Sequence, residues 1–211
     1  MKHELNVFFS KTNKLNLNKI ISFDETSIHA IMIPSYSRCS LGKRCVQKTN
    51  NSKVFQKYTL AVAITSKGVI GYELYEKGGM NVERLNLFLQ KYVVNKYKGY
   101  TLIMDNACSH RNKTTKEIII KSGNKILHSV LYRPSTKAIE SWFSQFKKIL
   151  YNQPGLNYKD ILKNVKSVFR FMKSQKHLNY FKYAYRRQKI KDIINIKKSN
   201  KEKKLKKYKS E

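Results

Sequence analysis

Residues 100–110 read YTLIMDNACSH. Five residues of extended, mostly apolar type, Tyr100 to Met104, run straight into Asp105 and Asn106, with His110 a turn later. A short apolar run bounded by polar residues predicts a buried strand over 100–104. Most strands that stop at an aspartate have simply reached a turn, so Asp105 alone carries little meaning. The deciding point is whether other carboxylates can reach the same place. Two are placed to do so. "KIISFDE" (19–25) predicts a strand ending at Asp24 and Glu25, and Glu140 falls in the first turns of a helix predicted through "KAIESWFSQFKKILY" (137–151).

Working outward, "QKYTLAVAITSKGVIGYELYEKGG" predicts a hairpin, with strands over 58–65 and 69–75 and a turn at 66–68. "NVERLNLFLQKYVVNKY" has apolar residues at helical spacing, with Asn81 as the N-cap. A helix over 112–121 and a strand in "KILHSVLY" (125–132) come next, and Ser135 or Thr136 is the candidate cap of the Glu140 helix. Beyond Pro154–Gly155, residues 158–196 read as helices with apolar positions such as Ile161, Val165, Phe169, Phe181 and Tyr185. Antiparallel-type strands followed by alternating helix and strand predict an α/β fold, a mixed five-stranded sheet flanked by helices with a basic helical C-terminal extension. The expected divisions are a lead-in over 1–18, a core over 19–153, the helical extension over 154–196 and a lysine-rich flexible tail over 197–211.

The charge is extreme: 44 Lys and Arg against 13 Asp and Glu, a net +31 in 211 residues. Self-repulsion at that density opposes compaction and points to a polyanionic partner, double-stranded DNA being the natural one. Cys39, Cys45 and Cys108 are too few and too irregularly spaced for a disulfide framework or a structural zinc site. No apolar run is long enough for a signal peptide or a membrane span. These features predict an intracellular protein with no membrane partner.

Three carboxylates gathered in one place repel one another and raise one another's pKa values. A divalent cation removes that penalty, and an all-oxygen donor set suits Mg²⁺ or Mn²⁺ better than zinc. Two such ions can activate an attacking hydroxyl and stabilise a leaving oxygen in phosphoryl transfer. Asp24, Asp105 and Glu140 are therefore the candidate catalytic and metal-ligating residues.

The three segments also resemble a known family. "ISFDETSIH", "LIMDNACSHRN" and "YRPSTKAIESWFSQFKKIL" resemble, in order, the three catalytic motifs of transposases of the Tc1/mariner and bacterial IS630 superfamily. The 34 residues that intervene between Asp105 and Glu140 match the commonest separation in that family. The likeness extends through "GKR" (42–44) to "YFKYAYR" (180–186). It implies a ribonuclease-H-like fold and an Asp, Asp, Glu triad of Asp24, Asp105 and Glu140. It further implies metal-dependent DNA cleavage and strand transfer, with self-association as a dimer or synaptic complex. Two departures stand out. Arg133, Lys137 and Ala138 occupy positions where the family usually has Ser, Asn and Pro, and the N-terminal helix-turn-helix domain of relatives has no counterpart before residue 19.

Supporting roles are open to several residues. Glu25 should point away from Asp24 if the strand persists. Asn106 could bond a loop backbone or orient a phosphate. His110 could hold Asp105, touch the scissile phosphate or simply be structural. Candidate DNA contacts are Arg38, Lys43, Arg44, Lys137, Lys147, Lys148, Arg186 and Arg187, which would add affinity without sequence selectivity. His29, His128 and His177 read as ordinary histidines. The competing readings are a related metal-dependent nuclease and a domesticated or inactive remnant that only binds DNA.

Overall fold

Apolar residues crowd the run from Ile20 to Phe23, so this segment must be covered on both faces, and it becomes the centre of the sheet. The computed structural model describes residues 2–29, 38–44, 56–153, 157–172 and 177–186. The central strand is β1 (Ile20–His29). Antiparallel to it lies β2 (Lys57–Thr65), which turns through Ser66 and Lys67 into β3 (Gly68–Tyr75) at one edge. On its other side β1 pairs in parallel with β4 (Thr101–Met104), which pairs in parallel with β5 (Lys125–His128). The order is β3-β2-β1-β4-β5.

Helices cover both faces, as parallel pairing requires. Before the sheet comes α1 (Lys2–Asn13). On one face α2 (Val82–Leu89) and α4 (Lys113–Lys121) pack on Ile21, Phe23, Ala61, Ala63, Leu102 and Met104. The short helix α3 (Cys108–Arg111) joins β4 to α4. On the other face α5 (Ala138–Leu150), α6 (Tyr158–Met172) and α7 (His177–Tyr185) pack on Ile20, Val62, Ile64 and Ile103. The partition follows the two-residue alternation of strand side chains. Trp142 anchors the second layer, stacked on Phe146 at 5.1 Å and tilted against Phe169 at 5.5 Å.

Several sequence expectations needed correction. β1 does not stop at Asp24 and Glu25 but continues to His29, because β2 keeps pairing with it through Lys57. The last strand ends at His128, not 132: Leu131 and Tyr132 are exposed, and Tyr132 takes a left-handed φ of 55°. Neither Ser135 nor Thr136 caps α5. Both sit in a 3₁₀ turn over Pro134–Thr136, and Lys137 takes the N-cap position without a side-chain cap bond. The lead-in contains α1, whose Phe8 is buried and packs towards Tyr185 of α7. Its helical stripe is short, so tertiary contact more than sequence periodicity defines it. Arg187 and the tail over 197–211 lie outside the described residues. Asn81 does cap α2, its side chain accepting from the Arg84 N–H at 2.8 Å.

Candidate active site

The parallel register of β1 and β4 pairs Ser22 with Ile103. Two residues further along each strand stand Asp24 and Asp105, so the two carboxylates leave neighbouring strands at the same level. Adjacent strands lie about 5 Å apart. β4 ends at Met104 while β1 runs on, which opens space beside Asp24 for the loop that carries Asp105. Glu140 arrives from the opposite direction, in the first turn of α5.

The start of α5 is fastened to the sheet beneath it. A helix begins with N–H groups that lack partners in the helix itself. Here the Ala138 N–H donates to the Tyr185 hydroxyl at 3.1 Å, and the Ile139 N–H donates to Ser22 Oγ at 3.4 Å. The Tyr185 hydroxyl in turn donates to Ser22 Oγ at 3.0 Å. Ser22 lies two residues before Asp24 and faces the same side, so one small buried network sets the height of Glu140 over the carboxylates. Burial pushes the Tyr185 phenol up to about 12, which keeps it neutral and able to donate.

Lys137 bridges the two sides. Its ammonium bonds Asp24 Oδ2 and lies 3.1 Å from Glu140 Oε1. Asp24 is buried, and burial pushes its carboxyl up to about 6 against the opposing pull of the Lys137 ammonium. Burial also works against the Lys137 charge, but Asp24 and Glu140 outweigh it and hold the amine above its ordinary pKa.

Asp105 is held from a different side. Its Oδ1 accepts from the Ala107 N–H at 2.9 Å and meets His110 Nδ1 at 2.5 Å. The imidazole hydrogen bond lowers the Asp105 carboxyl to about 2. His110 is fully buried against Phe23, and burial alone would lower its pKa. The Asp105 and Glu25 carboxylates overcome that and raise it to about 9, so the ring is an imidazolium at neutral pH. Its Nε2 stands 3.6 Å from Glu25 Oε2, beyond hydrogen-bond length but close enough for attraction between charges.

Asp24, Asp105 and Glu140 are thus gathered around one region, and Glu25 and His110 support it from the other face of β1. Asn106 donates weakly to the Ser129 carbonyl at 3.5 Å, which ties the loop after β4 to β5. Lys148 is exposed, whereas burial lowers the pKa of Lys147. Arg38, Lys43 and Arg44 are exposed. Arg186 is engaged elsewhere: its guanidinium donates to the Thr12 and Leu15 carbonyls at 3.1 and 3.2 Å, clipping α7 to the end of α1. Sequence reasoning missed Ser22 and Tyr185 as supports. It also missed His128, whose Nδ1 lies 2.9 Å from the Asp105 carbonyl oxygen. The pairing of Met104 with His128 explains that reach, but it depends on a strand register that no local motif announces.

A cleft of about 310 Å³ opens beside Asp105, Lys137 and Glu140, with Tyr132 almost fully exposed at its rim. A larger hollow of about 500 Å³ lies against β3 and α6 and touches none of these carboxylates. Among the described residues, no three His, Cys, Asp or Glu side chains stand arranged to hold a metal ion. The donor chemistry nevertheless suits a hard cation, since the carboxylates present only oxygen and already surround an ammonium. No helix among the described residues is long and apolar enough to cross a membrane.

The fold is ribonuclease-H-like. It resembles the solved Mos1 transposase catalytic domain bound to raltegravir with Mn, at a TM-score of 0.65 and 19% identity, over 87% of this chain and 86% of that one. It also resembles the Mos1 transposase paired-end complex with the left transposon end, at a TM-score of 0.70 and 19% identity. In that pairing the likeness takes in 87% of this chain but 57% of the transposase, so the chain spans little more than half its length. The mariner Mos1 paired-end complex with Mg gives a TM-score of 0.72 at 20% identity, over 87% of this chain and 58% of that one. No curated protein matches the sequence. Residues 19–162, which include all three carboxylates and the strands and helix that carry them, match the DDE superfamily endonuclease family, and the chain belongs to it.

Proposed function

We propose that this protein cleaves DNA strands and joins the resulting 3′ ends to new DNA, as a transposase does, with Asp24, Asp105 and Glu140 as its catalytic residues. One observation supports this above the rest: in a chain of net charge +31, Asp105 and Glu140 line one cleft, and Lys137, which also lines it, bonds Asp24 on the strand beside Asp105. Asp24, Asp105 and Glu140 would hold Mg²⁺ or Mn²⁺, in two positions by the family's habit. When bound, such ions stabilise charge on the phosphodiester and favour ionisation of the attacking hydroxyl.

The chain's own residues prepare that site. Asp24 is fixed in the central strand, so its position does not depend on a loop. His110 and the Ala107 N–H orient one oxygen of Asp105 and keep the group ionised. Ser22 and Tyr185 set the position of Glu140 through the first turn of α5. Lys43, Arg44, Lys147 and Lys148 would contact phosphates along the duplex, giving affinity that falls steeply with salt. Copies of the chain would pair to bring two DNA ends together.

A second reading is favoured by the Lys137 contacts. An amine that already neutralises Asp24 and Glu140 suits a DNA-binding remnant that has given up its chemistry. Nicking of supercoiled plasmid separates the two. The wild type is expected to nick in Mg²⁺ or Mn²⁺ and to stop when a chelator is added, while Asp105→Asn and Glu140→Gln bind DNA but do not nick. Wild-type binding without any metal-dependent nicking would leave only the remnant reading.

A further inference from the structure

Lys137 stands in a poor place for a cation. It is the N-cap of α5, where the helix presents the positive end of its dipole and where Asn, Asp, Ser or Thr would satisfy a backbone N–H. Its side chain makes no such bond and is 11% exposed, so the charge has also given up most of its water. Both penalties are offset from one direction only. The ammonium bonds Asp24 Oδ2 and stands 3.1 Å from Glu140 Oε1, the point that a cation shared by those two carboxylates would take. The Asp105 carboxylate attracts the same amine without touching it. On the far side, the ring nitrogens of His110 face Asp105 and Glu25. The Lys137 ammonium therefore lets Asp24 and Glu140 share a small volume.

We propose that Lys137 is a tethered counter-ion that holds the cation position between Asp24 and Glu140, so that a divalent ion enters there only by displacing the ammonium. The amine keeps the acidic cluster assembled when no metal is present, and it lowers the affinity for metal by competing for the same oxygens. The side chain is long and flexible, and it can swing towards the exposed side of the cleft once the ion has taken its place. There it remains within reach of a DNA phosphate. The proposal rests on reading the acidic cluster as a divalent-ion site.

The test is Mn²⁺ binding by isothermal titration calorimetry, together with thermal melting with and without Mn²⁺, on the full chain. Wild type, Lys137→Asn, Lys137→Arg and Asp105→Asn are compared. Removing the amine should strengthen Mn²⁺ binding by about tenfold or more, because a unit charge at contact distance no longer opposes the ion. Lys137→Asn also gains an N-cap side chain, so the readout is the shift each protein shows on adding Mn²⁺, which should be larger for Lys137→Asn than for the wild type. Lys137→Arg keeps the charge and adds donors, so it should bind Mn²⁺ no better than the wild type, a readout that stands even if the Asn variant folds poorly. Equal or weaker Mn²⁺ binding by Lys137→Asn overturns the proposal while wild-type binding leaves the metal-site reading intact. If neither wild type nor Lys137→Asn binds Mn²⁺, or if Asp105→Asn binds as well as wild type, the metal-site reading falls and takes the proposal with it.

Discussion

The His110–Asp105 pair ties the stability of the metal-free protein to pH in a direction that can be worked out beforehand. His110 is fully buried and its pKa is raised from 6.5 to about 9. A group whose folded pKa lies above its unfolded one stabilises fully below the unfolded value, and that contribution is lost as pH climbs through the folded value. The window therefore runs from 6.5 to about 9. The lowered Asp105 carboxyl reports the same contact, with its contribution present above 3.8 and lost as pH falls through about 2, so the pair is counted once. The full shift of His110 corresponds to on the order of 3 kcal/mol. Asp105 is 37% exposed along its side chain, and solvent screens the pair, which leaves about 1–3 kcal/mol. Urea unfolding followed by circular dichroism, with chelator present, should show wild-type stability falling across that window relative to His110→Gln, which has no charge to lose. Parallel pH profiles for the two proteins would refute the assignment of a buried imidazolium.

Two further predictions concern packing around the site. Tyr185→Phe keeps the ring but removes the hydroxyl that accepts from Ala138 and donates to Ser22, and the stranded buried N–H should cost about 1–3 kcal/mol in urea unfolding with an unchanged m-value. A change indistinguishable from zero would mean that the α5 N-terminus is not held there. Gly71→Ala should destabilise by about 1–3 kcal/mol, since a Cβ at that strand position would overlap the Tyr92 side chain where its ring begins. Gly79→Ala, with nothing within 4 Å of the added carbon, is the control and should leave the melting temperature nearly unchanged.

How much of this was legible in the sequence depended on the range of the interaction. Asp24, Asp105 and Glu140 each sit in a local pattern, two on or just after apolar strands and one in an amphipathic helix, and their residue types advertise a hard-cation site. The placement of Glu25 away from Asp24 also followed from strand alternation alone. By contrast, the length of β1 beyond Glu25 depends on pairing with distant residues of β2, His29 with Lys57 at its end, and no local signal marks it. Lys137 stands out in the sequence as a departure from the family's third motif and as a candidate DNA contact, but the sequence does not show that its amine lies between two acids. Tyr185 likewise reads as an apolar position of a helix, because only its ring follows the periodicity and its hydroxyl serves a residue in the first strand. Arg186 reads as a candidate DNA contact, whereas its guanidinium donates to two carbonyl oxygens at and just past the end of α1.

The hydrogen bond between Ser22 and Tyr185 joins residues 163 positions apart. A ribosome delivers the strands first, the helix carrying Glu140 later and the tyrosine that seats this helix later still. The sheet and α5 can therefore emerge before the hydroxyl that seats the first turn of α5, and the position of Glu140 is fixed only when the last described helix arrives.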